Sequence, residues 1–282
     1  MRTTDDAHAD PILTGKGLIK VYASNGSGMA RKAAVDGIDV CLQPGECLAI
    51  IGESGSGKTT LSRLLLGQLR PDAGQVAYQG RPVLRGSPAA KSLARDSALV
   101  FQNPFASLDP RWTLGRSVAE PLLAARRRGS GHVWHCRQDG AGIADQVAEA
   151  LSEVQLDPDR IFTAYPSDLS GGQAQRAAIA RALVVKPRIL LADEPMSAID
   201  VSARVGILHT LQSIMAQSRQ QSDSSSGMSM IIISHDLGVV QHIADRVMVL
   251  SQGKVVEEGP VRTILHHPNQ PYTRQLLAAA TL

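Results

Sequence analysis

The sequence predicts an α/β fold: a parallel β-sheet covered by helices and organised around one anion-binding loop. Three observations predict it. Gly52-Glu53-Ser54-Gly55-Ser56-Gly57-Lys58-Thr59 fits G-x-x-x-x-G-K-[ST], with the strand-like run Cys47–Ile51 before it and an amphipathic helix after it. Arg188–Ala192 and Met230–Ser234 read as continuous apolar strands, the pattern of parallel strands buried on both faces. The first of these runs ends in Asp193-Glu194, and the carboxyl ends of parallel strands are where nucleotide phosphates sit.

Taken in order, Met1–Asp10 reads as a disordered leader. Pro11–Tyr22 and Val35–Leu42 read as strands of an antiparallel sheet, separated by a flexible Ala23–Ala34. The helix after the loop is expected to run to about Leu69 and to end at Arg70-Pro71-Asp72-Ala73-Gly74. Gln75–Tyr78 and Val83-Leu84 read as short edge strands around a Gln79-Gly80 turn. Ala98–Phe101 reads as a buried strand ending in Gln102. From about residue 103 to 183 the periodicity is helical, through Val118–Ala125 and Ile143–Leu156, which predicts a helical subdomain inserted into the core. Val201–Gln217 reads as a helix followed by a Ser/Gln-rich loop, Ser218–Met228. Arg246–Leu250 and Lys254–Glu257 form a predicted hairpin, and a helical extension covers about residues 260–282.

Composition narrows the classes. A hydrophobic share of 43% with 3% aromatics calls for an aliphatic core. No apolar run is long enough for a membrane span, and the polar start lacks a signal-peptide core. The expected location is therefore cytoplasmic. A net charge of +3 is too small to argue for nucleic acid. Cys41, Cys47 and Cys136 form no C-x-x-C pair and suit buried, reduced thiols. His132-Val133-Trp134-His135-Cys136 lacks a second ligand pair, and with Arg126–Gly131 it reads as solvated loop rather than metal site or binding patch.

The chemistry follows from the loop and the carboxylates. Glycines let backbone N–H groups wrap phosphates, and the following helix adds the positive end of its dipole. Lys58 would reach the β- and γ-phosphates, and the Thr59 hydroxyl would hold Mg²⁺. Asp193 would support the metal, while Glu194 could orient and deprotonate water; the acidic pair could instead open a helix after Pro195.

Leu169-Ser170-Gly171-Gly172-Gln173 resembles the signature motif of the ABC ATPases. The resemblance covers about residues 11–282 and implies a single nucleotide-binding domain. Its fold would be a P-loop NTPase (RecA-like) core with an antiparallel β subdomain and an inserted α-helical signature subdomain. It implies ATP and Mg²⁺, with nucleotide contacts from Tyr22 on adenine and from Gly52 through Thr59 and Thr60. Thr59, Gln102 and Asp193 would serve the metal. Glu194, His235 as switch histidine and Gln102 would be catalytic. Ser197-Ala198-Ile199-Asp200 resembles the D-loop. The signature of one chain would complete the site of a second, in a homodimer or with a paralogue. Met196, Ile199 and Ala174 depart from the usual threonine, leucine and basic residue.

Within the family, Val100–Arg111, Tyr165–Asp168 and His267-Pro268…Pro271-Tyr272-Thr273 resemble the peptide- and nickel-importer branch. The chain stops without the cysteine-bearing tail of many peptide-importer ATPases, which leaves the branch open. The resemblance implies an energy-coupling ATPase on the cytoplasmic face of the membrane, working with permease subunits and indirectly with a solute-binding protein. A soluble ABC ATPase of a non-transport assembly, such as phosphonate degradation, is the alternative. A DNA-repair or translation type would bring a coiled-coil insertion or tandem cassettes. Neither is legible. Phe105, Leu108, Trp112 and Leu114 are more apolar than a free loop needs: they could form a groove for a partner's helix or pack their own subdomain.

Overall fold

A computed structural model of the chain describes residues 10–22, 32–127, 142–197, 199–220 and 227–280. The leader before Asp10, the loop 23–31, the cluster His132–Cys136, Ala198 and most of the Ser/Gln-rich loop lie outside the described residues.

Two sheets carry the fold. The six-stranded one runs β10 (Lys254–Pro260), β9 (Arg246–Ser251), β3 (Cys47–Ile51), β8 (Ser229–Ile233), β7 (Ile189–Asp193), β6 (Ser97–Val100) in that spatial order. All its pairings are parallel except β10 on β9. The second sheet is antiparallel, in the order β2 (Lys32–Leu42), β1 (Leu13–Tyr22), β4 (Ala73–Tyr78), β5 (Arg81–Pro82).

The continuous apolar runs split between two cores with period two. Cys47, Ala49 and Ile51 of β3, and Met230 and Ile232 of β8, face the core shared with the helical side. Leu48, Ile50, Ile231 and Ile233 face a second core with the antiparallel sheet and helix α1 (Lys58–Leu65). Both faces are covered, so no polar alternation appears in the sequence. Cys47 is fully buried, and burial pushes its thiol pKa up; Cys41 is only partly buried.

Helix α1 buries Leu61, Leu64 and Leu65 on one face. It stops about one turn earlier than expected, because Gly67 takes a left-handed φ of 67° just beyond it. Gly74 is not the stop signal; it belongs to β4. The predicted hairpin turns form at Gln79-Gly80 and Gln252-Gly253, with all four residues at positive φ, as two-residue type I′ turns require. Helix α2 (Pro88–Asp96) was not anticipated, although Ser87 caps it by accepting from the Ala90 N–H with Pro88 in the first turn. Strand β6 is apolar but lies on the edge of the sheet, and only Val100 in it is fully buried.

Between β6 and β7 the described elements are helical, with α3 (Leu114–Arg127), α4 (Ile143–Glu153), α5 (Pro158–Ile161) and α6 (Gly171–Leu183). Leu114, Val118, Val147, Leu151, Ile161 and Ile179 extend the first core through this block. Helices α7 (Val201–Gln220), α8 (Leu237–Ile243), α9 (Val261–His266) and α10 (Pro271–Ala280) complete the described chain.

Candidate nucleotide site

Strand β3 delivers the loop 52–59 to the carboxyl edge of the parallel sheet, and α1 begins at Lys58. Gly57 has φ 107°, and a Cβ there would meet the Ala34 carbonyl oxygen at 2.1 Å. Only glycine fits. No side chain caps α1, so its first N–H groups are left for a ligand. Lys58 is buried, and its ammonium donates to the carbonyls of Gly52 and Glu53 at 2.7 and 2.8 Å. Burial lowers its pKa, opposed by the charges of Glu194, Asp193 and Glu53.

The acidic strand end stands opposite. The Thr59 hydroxyl donates to Asp193 Oδ2 at 3.5 Å. Burial raises the Asp193 pKa, and the neighbouring Glu194 charge raises it further; Thr59, Arg63 and Lys58 act against this. Glu194 sits at φ 46°, a left-handed conformation unusual outside glycine, with its N–H tied to the Ile233 carbonyl at 2.9 Å. Its carboxylate lies between two partners: Gln102 Nε2 donates to Oε2 at 3.0 Å, and His235 Nδ1 is 3.5 Å from Oε1. The residues come from the segments just after β7, β6 and β8, so neighbouring parallel strands bring them together. The acidic pair does not open a helix, since the next one starts at Val201. Ser197 Oγ donates to the Glu194 carbonyl at 3.2 Å, and Asp200 Oδ1 accepts from the Ala203 N–H at 2.9 Å.

Tyr22 is half exposed and lines a cavity of about 280 Å³ with Ser62 and Arg63 of α1, Leu66 just past its end, Phe101 and Asp193. The aromatic and the phosphate-loop helix thus share one cavity. Sequence reasoning missed Arg63 and Phe101, because α1 and the end of β6 approach Tyr22 only in the fold.

The signature segment stands apart. Ser170 caps α6 by accepting from the Gln173 N–H at 3.3 Å, and its own N–H donates to Gln173 Oε1 at 3.0 Å. Among the described residues, no hydrogen bond or ion pair of Leu169–Gln173 reaches the loop 52–59 or Glu194. Ala174, Met196 and Ile199, the departures noted above, are all buried.

The fold and this site define a P-loop nucleoside triphosphatase. Within that class the chain belongs to the ABC transporter family, whose match spans residues 35–197. It is 38% identical over 250 residues to the oligopeptide transport ATP-binding protein OppF of Escherichia coli, covering 88% of this chain and 70% of that one. It is 38% identical over 283 residues to the glutathione import ATP-binding protein GsiA of Pectobacterium atrosepticum, but spans only 42% of that protein's length. Among solved structures it resembles the dimeric post-hydrolysis state of the ATP-binding cassette MJ0796 bound to ADP and Pi, with TM-score 0.72 and 27% identity over 89% of this chain and 99% of that one. It also resembles cbiO1 from Clostridium perfringens, part of the ABC transporter complex cbiONQ, with TM-score 0.73 and 25% identity over 92% of each chain. The chain is an ATP-binding, ATP-hydrolysing cassette. The relatives fit the peptide-importer branch; nickel is in neither relative's name.

Proposed function

We propose that the chain is the energy-coupling ATPase subunit of an importer for peptide-like solutes, held at the cytoplasmic face of a membrane by permease subunits. One observation carries the hydrolytic part: a left-handed Glu194 whose carboxylate is gripped by Gln102 and His235 beside the Thr59–Asp193 contact. The importer part rests on relatives whose names are of transport and import proteins, which disfavours the non-transport alternative.

The residues fit ATP and Mg²⁺. Bound Mg²⁺ would neutralise charge on the phosphates and polarise them. Adjacent carboxylates at Asp193 and Glu194 leave local negative charge, and Asp193 with the Thr59 hydroxyl offers the sparse oxygen set that Mg²⁺ takes alongside phosphates. Gly52 to Thr60 and Lys58 would hold the phosphates, Tyr22 would stack the base, and Gln102 would sense the metal. Glu194 would orient and deprotonate water, with His235 fixing its carboxylate. Ser170 to Gln173, Ser197 and Asp200 would serve a second ATPase subunit, identical or paralogous. The domain is read as residues 11–282, with the inserted helical subdomain at about 103–183 and the extension at about 260–282.

No helix among the described residues is long and apolar enough to cross a membrane. The importer reading calls for a docking face. The four apolar residues after Gln102 divide. Leu108 and Leu114 are buried in the core; Phe105 is half exposed, and Trp112 lies under the Arg116 guanidinium at 4.1 Å. Phe105, Leu108 and Trp112 line a groove of about 650 Å³ closed by Ser117, Glu120 and Arg181. The buried Ser117 hydroxyl has no hydrogen-bond partner among the described residues. This groove would take a short cytoplasmic helix of a permease. Cysteine crosslinking from segment 103–115 is expected to capture a permease loop with a yield that changes on adding ATP. Purification from membranes that recovers only soluble metabolic proteins would overturn the importer reading.

A further inference from the structure

The C-terminal helix α10 reaches the phosphate loop. Tyr272 lies at its start, packed partly buried against the main core. Its hydroxyl accepts from the Glu53 N–H at 3.4 Å and donates to the Leu250 carbonyl at 3.5 Å. Glu53 directly follows the loop's opening glycine, and from its other end the Glu53 carbonyl accepts from Lys58 Nζ at 2.8 Å. The same carbonyl accepts from the Ser56 N–H at 3.2 Å, so this residue of the loop is tied on one side by the loop itself and the lysine and on the other by the far end of the chain.

The position is tight. Gly52 runs so close to the end of β9 that a Cβ there would sit 2.2 Å from the Leu250 oxygen, the same oxygen the Tyr272 hydroxyl faces. At the loop's other end, the Ser56 carbonyl accepts from Gly253 N–H at 3.0 Å. The approach to α10 is fixed as well, because the Glu257 carboxylate accepts from the N–H groups of Asn269 and Gln270 at 2.7 and 3.2 Å. Two of the three Lys58 donors are spent on loop carbonyls. When the ammonium turns to phosphates, its hold on Glu53 weakens and the outer ties remain.

We infer that Tyr272 is a positioning residue of the nucleotide site: its hydroxyl fixes the Glu53 peptide and with it the opening turn of the phosphate loop. This rests on the reading of 52–59 as the nucleotide loop. A loop already held in shape loses less conformational freedom on binding, so the contribution appears as affinity for nucleotide. The hydroxyl reaches the loop from outside, so ATP and ADP should be affected alike.

The test is Tyr272→Phe in the full chain, which removes only the oxygen, with Lys58→Ala beside it. Calorimetric titration with Mg-ATP and Mg-ADP should show Tyr272→Phe binding both roughly 2- to 10-fold more weakly, the worth of one net hydrogen bond. KM for ATP should rise by that factor with kcat falling less. Hydrogen exchange at the Glu53 amide should quicken while α10 stays protected. Wild-type affinity in Tyr272→Phe overturns the inference. So does weaker binding accompanied by loss of protection throughout α10, since the tyrosine then only docks the helix. If Lys58→Ala also binds like the wild type, the failure lies in the reading of the loop itself.

Discussion

The glycine-containing segments that open α1 and α6 are finished differently. Before α1, Gly57 offers no side-chain cap, and a buried lysine and two carboxylates converge on the loop. Before α6, Ser170 and Gln173 satisfy each other's backbone N–H groups, and Gly172 is pressed against α7, where a Cβ would sit 2.6 Å from that of Ala203. The first segment has unmet donors and needs a ligand to meet them. The second is complete as a piece of helix, its first N–H groups met by its own Ser170–Gln173 cap. Under the proposed function, the first segment binds nucleotide within the chain, and the second would give up its cap to a phosphate that another chain presents.

The largest expected effect breaks the first half of this contrast. Glu194→Gln keeps the shape and one of the two acceptor oxygens that face Gln102 and His235 but removes the base, so ATP turnover should fall on the order of 10²- to 10⁴-fold. ATP binding should survive. Near-normal turnover in the assembled complex would remove Glu194 from its role. A smaller effect sharpens the contrast by asking whether the first half also holds the base. Tyr22→Ala should weaken ATP and ADP equally by about 1–3 kcal/mol, by analogy with base–aromatic stacking. If fluorescence titrations of that variant overlay the wild type, another side chain of the cavity holds adenine, and Phe101 is the next to change.

Local patterns were legible where a residue's neighbours in sequence are its neighbours in the structure. The loop with its flanking strand and helix, the strands β7 and β8, and both I′ turns carry their reasons in adjacent residues. Helix α2 carries a start signal in Ser87-Pro88, but its buried face is only Ala89 and Leu93, too short to set a helical period. The edge position of β6 was not legible, because an apolar run does not say how many strands flank it. Tyr272 was visible only as part of a branch-like motif. Its contact with Glu53 spans 219 residues, and no periodicity encodes it. The grip on Glu194 lay between these cases: motif order names Gln102 and His235, and only the fold gives their distances.

The most direct test of the central claim uses Ser170→Arg in a Glu194→Gln background, with light scattering and nucleotide titration on the same samples. The charge and bulk of arginine at the cap of α6 should leave monomeric ATP affinity unchanged, because among the described residues no hydrogen bond of the Ser170 side chain reaches the chain's own loop. ATP should dimerise the Glu194→Gln protein, while the double variant should stay monomeric. An undiminished ATP-dependent dimer of the double variant would contradict the assignment of Ser170–Gln173 to a partner's site. A loss of monomer ATP binding would contradict the division of the two halves.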